Sequence, residues 1–170
     1  MMSPTALAPT SRPVHRCFMS IYVVYESQRG KARRAAEAIT DAAASRGVAT
    51  LVRSVEETVV GDVLAADALV VGCGVQVDTP FGGEPAHRAG EWIDGLPSLE
   101  GKPVGVFCTY SIFPHSFADA TARVSAVLAI LERGIEAKGG KIAASRSFHM
   151  REFSETATSF VGQLLEYVHD

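Results

Sequence analysis

A chain of 170 residues is long enough for one domain with its own hydrophobic core. Hydrophobic residues make up 47% and charged residues 21%, the balance of an ordinary globular protein. The net charge of −3 and pI near 5.9 offer no basic face of the kind nucleic acid requires, and no apolar run approaches the roughly 20 residues of a membrane span.

Residues 1–18 differ in composition from the rest of the chain. They carry Pro4, Pro9 and Pro13, small polar residues, and Arg12 and Arg16. A secretory signal would place its charge before an apolar core; here the charge comes late and that core is missing. The expectation is a disordered tail, or a start codon upstream of a true start at Met19, ahead of a domain spanning residues 19–170. A cytoplasmic location is expected on the same grounds.

Ile21-Tyr22-Val23-Val24-Tyr25 is a continuous β-branched and aromatic run, the composition of a strand covered on both faces. It breaks into Glu26-Ser27-Gln28-Arg29-Gly30. From Lys31 the pattern turns helical, with Ala32, Ala35, Ala36, Ile39 and Ala43 on one face. A buried strand feeding a helix through a short Ser/Gly loop aims free backbone amides out of the helix start, where the helix dipole also favours negative charge. Two plainer roles stay open: Ser27 as an ordinary helix cap and Gly30 as a turn residue.

Gly47 supplies a helix stop, and Val48 to Val52 reads as a second strand. A helical turn is expected around Val63, Leu64 and Ala66. Ala68 to Cys73 is the third strand, apolar throughout, and opens into the glycine-rich stretch Gly74 to Gly83. Pro85 suits the first turn of a helix reaching about Asp94, with Gly95 ending it. Trp92 is assigned to the core with Ile93 and Leu96.

Lys102 to Tyr110 holds the fourth strand, followed by the loop Thr109 to His115. A long helix starts near Ser116 with an apolar face of Phe117, Ala120, Val124, Val127, Leu128 and Leu131, and Gly139-Gly140 ends it. Lys141 to Phe148 is the fifth strand. Ser154 is expected to cap a last helix whose Phe160, Val161, Leu164, Leu165 and Val168 face the core.

Strands alternating with helices, without a hairpin signal, predict an α/β fold with a doubly wound parallel sheet. In such sheets ligands bind beyond the carboxyl ends of the strands. Three loops leave those ends, at Glu26–Gly30, Gly74–Glu84 and Thr109–His115, and they are the most irregular stretches of the chain. The three cysteines, Cys17, Cys73 and Cys108, form no metal-ligand spacing and are expected to be reduced thiols, so no metal is expected. No hydrolytic arrangement can be argued from spacing, and the catalytic residues, if any, are unassigned.

From Ser20 to the C-terminus the sequence resembles the short-chain flavodoxins. The first loop of that family reads Ser/Thr-x-Ser/Thr-Gly-Asn-Thr and wraps the phosphate of FMN; the matching stretch here is Ser27-Gln28-Arg29-Gly30-Lys31-Ala32. Ser27 and Gly30 agree, whereas Arg29, Lys31 and Ala32 depart, losing two hydroxyls and adding two cations. Leu69-Val70-Val71-Gly72-Cys73-Gly74 resembles the family's approach to its first flavin-flanking loop. Leu99-Glu100-Gly101-Lys102-Pro103-Val104-Gly105-Val106-Phe107 is similar to the family's Leu-x-Gly-Lys-x-Val-x-Val-Phe.

The resemblance implies a three-layer, five-stranded sheet in the order 2-1-3-4-5 and FMN as cofactor. It places the phosphate at Ser27 to Ala32. The flavin ring would lie between Gly74, Val75, Gln76, Phe81 and Gly82 on one side and Thr109, Tyr110, Ser111, Phe113 and His115 on the other. Phe81, Tyr110 or Phe113 would stack on the ring, and His115 is the side chain in those loops able to change charge near neutral pH. His149 and Arg151 lie just beyond the fifth strand, within reach of the same edge.

The implied function is electron transfer or flavin-dependent oxidoreduction, with a redox partner protein or a small-molecule electron acceptor. A net charge of −3 is modest beside the strongly acidic flavodoxin carriers, which leaves room for a quinone-reductase-like or protoporphyrinogen-oxidase-like enzyme. The alternative is a flavodoxin-like module that has lost FMN and binds a protein partner or another phosphorylated ligand. A receiver-type signalling domain is rejected. It needs an acidic pair after the first strand and an Asp after the third, where this chain has Glu26 alone and Gly72-Cys73-Gly74.

Overall fold

The computed structural model describes residues 19–27, 29–75, 87–110 and 117–170. The expectation for the N-terminal tail, and the helical role of Pro85, fall outside these residues. Five strands form one sheet: β1 (Ser20–Glu26), β2 (Ala49–Ser54), β3 (Ala68–Gly74), β4 (Pro103–Tyr110) and β5 (Lys141–His149). The helices are α1 (Lys31–Ala44), α2 (Val60–Ala65), α3 (His87–Asp94), α4 (Phe117–Ala137) and α5 (Phe153–His169), with a 3-10 turn at Val55–Glu57. All pairings are parallel and the order is β2-β1-β3-β4-β5, a flavodoxin-like three-layer α/β fold.

The strand period of two sorts the central strands into two cores. Tyr22, Val24, Leu69, Val71, Val104 and Val106 meet Ile93 of α3 and Leu131 and Ile135 of α4 on one face. Ile21, Val23, Val70 and Phe107 meet α1 and α5 on the other. Burial of both faces is why β3 reads as an unbroken apolar run.

The predicted stripe of α1 is its buried face: Ala32, Ala35, Ala36, Ile39 and Ala43. Small side chains there let the helix lie close to the sheet. On α5, Phe160 joins Phe107 and Phe148 in an edge-to-face cluster, with ring centroids 5.5 to 6.4 Å apart. Each such ring contributes roughly 1.5–3 kcal/mol by its burial. The cluster needs glycine beneath it, since a Cβ on Gly72 would stand 2.2 Å from the Phe107 ring and one on Gly105 would stand 2.5 Å from Phe160.

Strand ends shift by a residue from the sequence expectation, with β3 reaching Gly74 and β5 reaching His149, and two further differences have a local cause. The second strand begins at Ala49, because the Val48 amide is already used in closing α1, donating to Ala43 O at 3.0 Å. Ser154 does not cap the last helix. Glu152 holds that position without a side-chain cap bond, and Phe153 opens the helix by packing its ring 6.2 Å from that of Phe148. Tertiary contact outweighed the local capping preference there. Trp92 is half-buried against the α3/α4 core rather than within it.

The segment Leu99 to Lys102 lies at the opposite edge of the sheet from the three loops. Lys102 Nζ donates to the carbonyl of Leu64 at 3.2 Å and to that of Ala66, closing the end of α2. Asp67 beside it accepts from the Ser20 amide at 2.7 Å. The stretch Leu99 to Phe107, matched to the family by sequence, therefore begins with a structural clamp.

Candidate functional site

The described ends of the three loops meet at the carboxyl edge of β1, β3 and β4. Gly30 precedes α1 with φ 80° and ψ −3°, a left-handed conformation that favours glycine. Its carbonyl accepts from Arg34 N at 3.1 Å, so it starts the helix by backbone alone, with no side-chain cap bond. The cap role for Ser27 is thereby excluded. The amides of Lys31, Ala32 and Arg33 open the helix without intrahelical acceptors, and the first turn holds no acidic residue. Both features favour an anion there.

Ser27 Oγ and Thr109 Oγ1 are buried and have no hydrogen-bond partner among the described residues. Thr109 is 0% exposed, so its hydroxyl carries a desolvation cost of about 1–3 kcal/mol that no described residue offsets. Orphaned polar atoms of this kind call for a specific explanation. Gly74 pairs with Thr109 in register and lies on the same face, its Cβ position 3.5 Å from Thr109 Oγ1.

The remaining residues sort by position. Ala32 is buried in the α1 face, so its amide alone is available to a ligand. Arg29 is exposed and Lys31 half-buried at the helix start. Val75 packs against the α3/α4 core, its amide donating to Thr109 O at 2.7 Å. Tyr110, the last residue of β4, meets His149 edge-on at 5.4 Å. Gln28, Gln76, Phe81, Gly82, Ser111, Phe113 and His115 lie outside the described residues.

On the opposite face of the same edge stand Glu26, Cys73 and Cys108, one from each central strand and in register. Burial raises the Glu26 pKa, Arg88 opposes this, and Glu56 adds to it. Arg88 itself pairs with Glu56 at 2.8 Å on the surface. Burial pushes the Cys108 thiol up to about 12. The Cys73 thiol is driven higher still by burial, with Cys108 and Glu26 adding to it. Both cysteines are free thiols. Among the described residues no three His, Cys, Asp or Glu side chains gather as metal ligands, and no helix is long and apolar enough to cross a membrane.

Sequence reasoning missed the contact of Arg34 with Phe153, which ties the start of α1 to the start of α5 at 5.8 Å. Arg34 follows Gly30 by one turn, but its partner is 119 positions away and no local signal names it.

No protein-family model and no curated protein sequence matches the chain. Solved structures do. A short-chain flavodoxin associated with a non-canonical PDU bacterial microcompartment aligns with TM-score 0.69 at 18% identity, covering 89% of this chain and 99% of that one. A flavodoxin from Streptococcus pneumoniae TIGR4 aligns with TM-score 0.64 at 19% identity, over 87% of this chain and 99% of its own. Flavodoxin 2 from Bacillus cereus gives 0.65 at 19% identity over the same shares. Together with the strand order, these similarities establish the flavodoxin-like fold.

Proposed function

We propose that the protein binds FMN non-covalently at the carboxyl edge of its sheet and acts in electron transfer or flavin-dependent oxidoreduction. The observation that carries this reading is the buried, unpartnered Ser27 hydroxyl beside a helix start opened by left-handed Gly30. A phosphate there gives the Ser27 hydroxyl an acceptor, and its charge is favoured by the helix dipole. Arg29 and Lys31 add cationic charge where the related first loop has hydroxyls.

When bound, FMN supplies the one- and two-electron chemistry. The chain's own part is to hold the phosphate, to seat the ring against the ends of β3 and β4, and to keep water from one side of it. Tyr110, braced edge-on by His149, is the described aromatic at that position. A cytoplasmic setting suits the two buried free thiols, Cys73 and Cys108. The electron acceptor is a partner protein or a small molecule.

Titration of the purified protein with FMN and with riboflavin tests the reading. FMN should bind and riboflavin, lacking the phosphate, should bind much more weakly. Equal affinities, or no flavin binding, would overturn it and favour a module that holds a protein or another phosphorylated ligand through the same edge.

A further inference from the structure

The first loop lacks two of the hydroxyls found in the related phosphate loops, yet one hydroxyl is stranded nearby on a different strand. Thr109 Oγ1 belongs to β4, is fully buried, and has no partner among the described residues. Its face is set by the strand period. Thr109 follows Phe107, which belongs to the core beneath α1 and α5, and Gly74 follows Gly72, whose Cβ position points at the Phe107 ring. Ser27 follows Tyr25, which packs against that same core.

The pairing Gly74↔Thr109 on β3 and β4 puts these two side by side, and Glu26↔Cys73 on β1 and β3 brings Ser27, the residue after the end of β1, to the same edge of the sheet. α1 covers the face of the sheet that Gly74 and Thr109 share, and it begins shortly after Ser27. Ser27 and Thr109 carry hydroxyls without a partner among the described residues, and Gly74 carries no side chain.

We infer that Thr109 supplies an anion-binding hydroxyl in place of those missing from the first loop, donating across Gly74 to the phosphate that Ser27 and the α1 amides hold. The inference rests on the FMN reading for the identity of the ligand. Two strand spacings separate β1 from β4, about 9.6 Å. Two O–H···O bonds of about 2.7 Å with one phosphate between them fit within that span. Glycine at position 74 leaves the strand between them open; any side chain there would occupy the anion's place. A hydroxyl serves at both positions because it donates without bringing a second buried charge.

The test compares Thr109→Val, which keeps shape and removes the hydroxyl, with Thr109→Ser, which keeps the hydroxyl. Thr109→Val should weaken FMN binding about tenfold or more, the loss expected for a hydrogen bond to a charged group. It should leave riboflavin affinity unchanged, and Thr109→Ser should restore FMN binding. The ligand-free Thr109→Val protein should melt no lower than the unsubstituted one, because it loses an unsatisfied buried group. Equal losses for FMN and riboflavin would mean that the hydroxyl faces another part of the ligand and would overturn the inference, as would unchanged FMN affinity. If the unsubstituted chain bound no flavin, protection against heat by inorganic phosphate would decide the point. Protection abolished by Thr109→Val would uphold the anion site while the FMN reading fell, and no protection would overturn both.

Discussion

Cys73 and Cys108 stand opposite each other on β3 and β4, in register, both 0% exposed and both reduced. Their raised thiol pKa values follow from burial first. Since the thiolate is the reactive form, the native protein should resist thiol reagents at both positions, and both should react after denaturation. Mass spectrometry of labelled peptides, without reductant, reads this directly; a peptide joining Cys73 to Cys108 would refute it. The same shift makes stability pH-dependent. A thiol titrating at 9.0 when unfolded and about 12 in the fold keeps its full contribution below pH 9 and loses it as pH rises toward 12. The urea midpoint should therefore fall above about pH 9, and less steeply in Cys73→Ala/Cys108→Ala.

Gly30→Val should impair both the fold and the site. At φ 80° a β-branched side chain costs about 1–2 kcal/mol, although no described atom lies within 4 Å of the added Cβ. The open space matters as much as the strain, because the proposed phosphate would approach the backbone there. Urea denaturation should show the stability loss and FMN titration a severe loss of binding. Retention of full FMN affinity would remove Gly30 from the site.

Arg29→Ala and Lys31→Ala separate two ways of holding a phosphate. If cations stand in for the lost hydroxyls, at least one substitution should cost about 1.5–3 kcal/mol of FMN affinity. If the amides with Ser27 and Thr109 suffice, both should be mild while Gly30→Val stays severe. Affinities measured at two salt concentrations check the assignment, since a charge contribution weakens with ionic strength.

A chain beginning at Met19 should melt and bind ligand like the full-length protein. Residues 1–18 carry Pro4, Pro9 and Pro13 and no apolar run longer than three residues, unlike the runs that build the core strands. The Met19 carbonyl already accepts from Ala49 N at 3.1 Å, so the β1–β2 ladder begins without them. A drop of several degrees on truncation would contradict this, and calorimetry of the two chains would reveal it.

Hydrophobic period determined the elements and the α/β class, while the strand order 2-1-3-4-5 was legible only through the family resemblance. The unbroken apolar runs of β1, β3 and β4 and the alanine stripe of α1 are local patterns, and a parallel sheet covered on both faces is the arrangement that buries them all. The same reading located the three loops at one sheet edge, because parallel strands send all their carboxyl ends the same way. It did not show which side chains act together. That Ser27 and Thr109 both lie at one sheet edge, without a partner among the described residues, depends on strand order and register, which bring together residues 82 positions apart. That Lys102 clamps α2 depends on which edge of the sheet it meets. The opening of α5 at Phe153 rather than Ser154 was likewise decided by ring packing against Phe148. Propensity and period act over a few residues and survive in the linear code; burial, partnership and charge environment are sums over distant neighbours, and they exist only once the chain has closed.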